Sequence, residues 1–225
     1  MYQVANYTKY IFIMSTPPDR RSRKRLATRQ AISTIATRLF LKRGFDRVTV
    51  DQIAAAADVG RMTVFNHFPR KEDLFFDRYA QGRAMLRQAL LERDPAIGPI
   101  ETLRLLAHRL VEQQSPFVEF SAASRGFVKT IEGSEALKAR ARAIRDELAQ
   151  VVAAALAESV GRELADADAC LAASLLLATW TVALIQAHRL FRQRRNKEEA
   201  EIAFLALVDK GTLALQAAMV GTPYG

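Results

Sequence analysis

Arg61, Met62, Asn66 and His67 recur at the spacing of one helical turn, and Lys71 follows just beyond Pro69. A guanidinium can chelate a guanine edge, while an amide, an imidazole or an ammonium can meet phosphate oxygens, so this set suits binding rather than bond-making. The three histidines, His67, His108 and His188, stand far apart without metal-ligand spacing. Cys170, the single cysteine, lies in an apolar run, and no phosphate-cradling glycine loop occurs. The sequence therefore points away from an enzyme, and no cofactor or metal is expected.

The neighbouring elements must hold those side chains outward. Ile32, Ile35, Ala36, Leu39 and Phe40 fall at i, i+3, i+4, i+7 and i+8, one apolar face of a helix over residues 20–43 that Gly44 ends. Thr49 and Gln52 fit a capping box flanked by the staple residues Val48 and Ile53, so a second helix covers 50–57. Asp58-Val59-Gly60 reads as a tight turn before a third helix over 61–68. Pro69 stops that helix, and Lys71-Glu72-Asp73 opens another over 71–91, its acids placed as the helix dipole favours. Ile53, Ala54, Val64 and Phe68 are spaced to pack the two short helices on the first, leaving Arg61, Met62, Asn66 and His67 outside. A helix-turn-helix of this form can enter a major groove.

The stretch Thr49-Val-Asp-Gln-Ile53-Ala54-Ala-Ala-Ala57-Asp58-Val59-Gly60-Arg61-Met62-Thr63-Val64-Phe65-Asn66-His67-Phe68-Pro-Arg-Lys71-Glu72-Asp-Leu74 resembles the signature of the tetracycline-repressor (TetR) family. Matches fall at Thr49, Ile53, Ala54, Ala57, Val59, Thr63, His67, Phe68, Lys71, Glu72 and Leu74, with conservative replacements at Val64 and Phe65. The resemblance implies a sequence-specific DNA-binding transcription regulator, and it favours a repressor. It makes Arg61 and Met62 base-reading positions, and Thr49, Thr63, Asn66, His67 and Lys71 contacts to phosphate or backbone. Asp58 stands where the family has Gly, Gly60 replaces a Ser cap, Met62 replaces Gly, and Phe65 replaces Tyr. Lacking a hydroxyl, Phe65 is expected to pack or to touch a thymine methyl. Asp51 either caps its helix or accepts from a cytosine. The basic stretch Arg20-Arg21-Ser22-Arg23-Lys24-Arg25 reads either as a solvated run or as a segment lying along phosphates or in the minor groove.

Charge is distributed to match. Of a net +9, residues 1–95 hold 18 Lys+Arg against 9 Asp+Glu, and the remainder is balanced at 15 of each. After the turn-rich segment 94–99, helices are expected over 100–114, 116–131, 134–160, 166–194 and 197–220, with no period-two run of strand length. The fold class is therefore all-α: an arm without fixed structure (1–19, with Met14 an alternative start), a three-helix helix-turn-helix DNA-binding domain (20–75) and a helical ligand-binding and dimerisation domain (76–225). The uncharged run 169–187 is long enough to test as a membrane span. Its alanines, Ser174, Thr179, Thr181 and Gln186 favour a helix buried in protein, so no membrane partner is expected and the location is cytoplasmic.

The family resemblance implies a homodimer through the last two helices, and their apolar surplus supports it; the other partner is double-stranded, palindromic operator DNA. It also implies a small-molecule effector, of unknown identity and expected to be apolar. Leu106, Phe117, Phe120, Phe127 and Trp180 would line its site with His108 as polar anchor, although each reads more readily as plain core than as a ligand contact. The helix over 71–91 is the expected lever between the two parts. The alternative is a helical DNA-binding regulator with no small-molecule effector, answering to a protein partner or activating transcription.

Overall fold

The computed structural model describes residues 19–225; the expected arm up to residue 18, Met14 included, lies outside the described residues. Among these residues the chain is all-α and has no strand. Its helices are α1 (Arg20–Arg43), α2 (Val50–Ala56), α3 (Arg61–His67), α4 (Lys71–Phe75), α5 (Tyr79–Leu91), α6 (Pro99–Glu112), α7 (Ala122–Glu132), α8 (Glu135–Ser159), α9 (Ala167–Arg194) and α10 (Lys197–Ala218). Local chemistry sets most of the boundaries. Asp19 caps α1 by accepting from the Ser22 amide, and Gly44 leaves it with a positive φ of 85°. Arg195, in the left-handed region, closes α9, and the Asn196 side chain caps α10.

Two expected helices differ. The segment 71–91 is not one helix but α4 and α5, separated at Phe76-Asp77-Arg78. The Phe76 amide closes α4 on the Glu72 carbonyl, while the Asp77 carboxylate accepts from Ser33 of α1 and draws the turn onto that helix. Phe76 itself meets the Phe127 ring edge-on. The expected helix over 116–131 begins only at Ala122. Ahead of it the chain buries Val118 and Phe120, and Ser121 and Ser124 form a capping box that resets the start.

Two apolar cores result. The first gathers Ile32, Ala36, Phe40, Phe45, Val48, Ile53, Ala54, Val64, Phe68, Leu74 and Phe75, with Phe127, Ile131 and Leu137 added from α7 and α8. The second fills the space among α5, α6, α8, α9 and α10. Three contacts bind α1–α4 and their loops to α7 and α8: Phe127 of α7 stacks on Phe75 within the first core with centroids 4.3 Å apart, Ser134, the N-cap of α8, donates to Asp46 at 2.8 Å, and Arg140 of α8 pairs with Asp73 of α4 at 3.1 Å. Because α8 runs on into the second core, α7 and α8, rather than a continuous helix over 71–91, set how the first core sits on the second.

Candidate nucleic-acid interface

The α2–turn–α3 unit is built as its residue types dictate. Thr49 accepts from the Gln52 amide at 3.2 Å and Gln52 accepts from the Thr49 amide at 3.1 Å, a complete capping box. Asp58 then takes the left-handed conformation, φ 52°, with the Val59 amide donating to Ala54. Aspartate tolerates that region better than most residues do, so the turn survives a non-glycine here. Val64 and Phe68 face the core beside Ile53 and Ala54, and the opposite side of α3 is open: Arg61 and Asn66 are exposed and Met62 is 69% exposed. Thr63 and Phe65 are half-buried at the flanks.

Arg61 is not loose. Its Nη1 lies 3.2 and 3.1 Å from the two carboxylate oxygens of Asp51, and its guanidinium stands 5.5 Å from the Phe65 ring centroid. Asp51 therefore pairs across the turn. Phe65, short of a hydroxyl, lies beneath a cation.

The basic first turns of α1 are exposed and run toward the end of α3. Partial burial, and then the nearby charges of Arg25 and Arg29, hold the His67 imidazole below its ordinary range. Arg29 donates to the His67 carbonyl and lies 4.0 Å over the Phe68 ring, so it fastens the end of α3 to α1. Lys71 faces inward. Its Nζ donates to the Phe45 carbonyl at 2.7 Å and sits 4.2 Å from the Phe45 ring centroid, and burial lowers its pKa. In this conformation Lys71 ties the loop after α1 to α4.

Residues 32–77 match the model of the bacterial regulatory proteins of the tetR family. The chain carries a tetR-family regulatory domain. TcmR of Streptomyces glaucescens, an HTH-type transcriptional regulator, is 44% identical over 62 residues, a stretch that spans 27% of each chain. The fold likeness reaches further than that quarter. SmeT, the repressor of the Stenotrophomonas maltophilia multidrug efflux pump SmeDEF, superimposes with a TM-score of 0.53 at 22% identity, covering 84% of this chain and 91% of SmeT. FadR of Thermus thermophilus, a repressor solved with lauroyl-CoA, gives 0.51 at 24% identity over 85% and 95% of the two chains. SmeT has also been solved with triclosan.

Beyond the tetR-family domain, the residues expected around an effector are not gathered in one place. Phe120 and Trp180 both meet Phe204, at 6.3 and 6.2 Å between centroids, and Leu106 is buried in the same core. Phe117 packs half-buried against that core beside Gly82. Phe127 belongs instead to the first core, stacked on Phe75. His108 lies at the surface of α6, its Nε2 2.7 Å from Asp209, in a cluster with Arg104 and Glu101. A depression of about 200 Å³ opens at the seam, lined by Arg29, His67, Asp73, Phe76, Asp77 and Arg140 among others.

Sequence reasoning missed Arg29, Arg140 with Asp73, and the Asp51–Arg61 pair. The first two join residues 38 and 67 apart in the chain and leave no local signal. The third had one: an acid in the first turn of one short helix and an arginine opening the next, ten residues on.

Proposed function

We propose that the chain is a sequence-specific transcription repressor that binds palindromic operator DNA as a homodimer, in the cytoplasm, and leaves it when a small apolar ligand binds the helical body. The observation that carries the DNA-binding part is the exposed edge of α3, Arg61, Met62 and Asn66, set rigidly on the core through Val64 and Phe68. Arg61 and Met62 read bases in this account. Thr49, Thr63, Asn66 and His67 meet phosphates, while Lys71 contributes by fixing the scaffold. The basic residues of α1 crowd a helix N-terminus, where the dipole disfavours cations, and nearby phosphates would relieve that repulsion.

The dimer reading rests on two apolar stripes. Leu171, Leu175, Val182 and Ile185 lie exposed along one side of α9, and Ile202 and Leu213 along α10. Helix α9 has the length and mean hydropathy, 1.8 over its most apolar window, to cross a membrane. Its other side is buried against the body, and a second copy of α9 and α10 would cover the rest as a four-helix bundle.

The ligand part leans on the relatives, triclosan for SmeT and lauroyl-CoA for FadR. In this chain such a ligand would have to part Leu106, Phe120 and Trp180, and it acts only through its differential affinity for the opened body. The burial of all three in one core favours a second reading, a regulator with no small-molecule effector. A thermal-shift screen with apolar ligands separates the two, since a true effector stabilises in proportion to RT ln(1 + [L]/Kd) and a protein-responsive factor yields no hit.

DNA binding is tested by a salt titration on specific and scrambled duplexes. The expected result is a steep loss of affinity with salt on both, with Arg61→Ala relaxing base preference and leaving scrambled binding nearly unchanged. Equal losses on both duplexes overturn the assignment of base reading to α3.

A further inference from the structure

Asp51 is a carboxylate on the face that the proposed function presents to DNA. Next to phosphates it repels, and as an exposed ion pair, with side chains 60% and 63% open to solvent, it adds little to folding stability. Helix α2 is already capped by Thr49 and Gln52, so the acid is not needed to start it. What Asp51 does in the structure is grip Arg61 from another helix, both carboxylate oxygens within 3.2 Å of the same Nη1, while Phe65 supports the guanidinium one turn along α3. Of the three guanidinium nitrogens this commits one. Nε and Nη2 remain for an acceptor pair such as guanine O6 and N7.

We infer that Asp51 is a positioning residue for base reading: it holds the Arg61 guanidinium in one plane above Phe65, so that its remaining N–H edge meets a guanine already oriented. The inference rests on the DNA-binding reading above and assigns specificity within it. The physical gain is in entropy. A free arginine samples many rotamers and must lose them on binding, whereas an arginine tethered at Nη1 has lost most of them beforehand. The same tether penalises a wrong base, because a rigid donor edge cannot swing aside to find another acceptor. Asp51 therefore trades general affinity for discrimination. Removing it should lower selectivity while leaving weak, sequence-independent binding intact or stronger.

The experiment compares the full chain with its Asp51→Ala and Asp51→Asn variants, each also in an Arg61→Ala background. Base preference at every position is read by selection from random duplexes, and affinity is measured on a scrambled duplex. Asp51→Ala is expected to reduce the guanine preference at the Arg61 position by about twofold to fivefold, the size of coupling usual for exposed charged pairs. Preferences at other positions should hold, and scrambled binding should stay level or rise. Asp51→Asn, which keeps one acceptor oxygen and the shape, should fall between. In the Arg61→Ala background neither change should alter the profile further. The inference is overturned if Asp51→Ala keeps the guanine preference, weakens all sequences alike, or acts equally without Arg61; those outcomes leave the DNA-binding reading standing. A parent chain that prefers no sequence overturns both.

Discussion

Gly211→Ala pits two effects of known sign against each other at the crossing of α9 and α10. A Cβ on Gly211 would fall 2.6 Å from Thr179 Oγ1, 3.0 Å from its Cβ and closer still to its Cγ2. Non-bonded carbons settle at about 3.5–4.0 Å, so unless Thr179 turns its Cγ2 away the helices must part by more than about 1 Å, and by roughly 0.5–1 Å even if it does. The branched Cβ of Thr179 leaves it few rotamers, and Leu176, Trp180, Thr212 and Leu215 line the same crossing. Overpacking of this kind costs about 1–3 kcal/mol, whereas replacing a mid-helix glycine by alanine returns roughly 0.5–1 kcal/mol. The clash should win, by up to about 2.5 kcal/mol. Thr179→Ala removes Cγ2 and Oγ1 but keeps the Cβ at 3.0 Å, so Gly211→Ala should cost less in that background than in the parent. Urea unfolding of the four proteins at one fixed protein concentration reads both effects, the fixed concentration being needed because the stability of the proposed dimer depends on it. A Gly211→Ala chain more stable than its parent would refute the reasoning, for it would mean α10 does not need a glycine to approach α9.

Other expectations concern acid, the seam and the dimer. The His188 imidazole is held below its ordinary value of 6.5 by burial, its Nδ1 unpartnered and its ring 4.9 Å from Phe120, so the fold favours the neutral form. The stability this provides is complete above the ordinary value and declines as pH falls through it; His188→Phe should flatten the decline in urea midpoints between about pH 7.5 and 5.5. Arg140 is 11% exposed and bonds both Asp73 and Glu147, holding Glu147 below the usual carboxylate range. Arg140→Leu should cost about 2 kcal/mol, short of the 3–5 typical of a fully buried pair because both acids keep some water, and should weaken operator binding by freeing the seam. Loss of stability without loss of DNA affinity would show that the seam does not orient the DNA-binding module. Leu213→Lys, at a residue 67% exposed in the single chain, should shift the proposed dimer toward monomer in sedimentation without unfolding it; an unchanged dimer would place the interface elsewhere.

Periodicity and capping made the all-α fold legible. The face Ile32–Phe40, the Thr49–Gln52 box and the Asp58-Val59-Gly60 turn are local signals, and the structure realises each. What could not be read were contacts between residues distant in sequence. The acids of Lys71-Glu72-Asp73-Leu74 announce a helix start, but nothing in residues 71–91 shows that Ser33 will take Asp77 and divide it. Pro116 looks like a first-turn residue, yet the pull of Phe120 into the body delays α7 to Ala122. In the same way an aromatic at 127 reads from sequence as core more readily than as a ligand contact, but only the stacking on Phe75 says which core it joins. Side-chain spacing identified the outward face of α3; the partner that Arg61 holds on α2 needed the turn between them to be folded.

The account stands on α3 being presented twice, at a fixed separation, by one assembly. Selection from a random duplex pool by the purified chain tests this most directly. It predicts recovery of an inverted repeat whose half-sites lie about one helical turn, roughly 34–36 Å, or a multiple of it apart, with a guanine in each half. A pool that emerges unenriched at low salt, or enriched only in single unpaired half-sites, would contradict it.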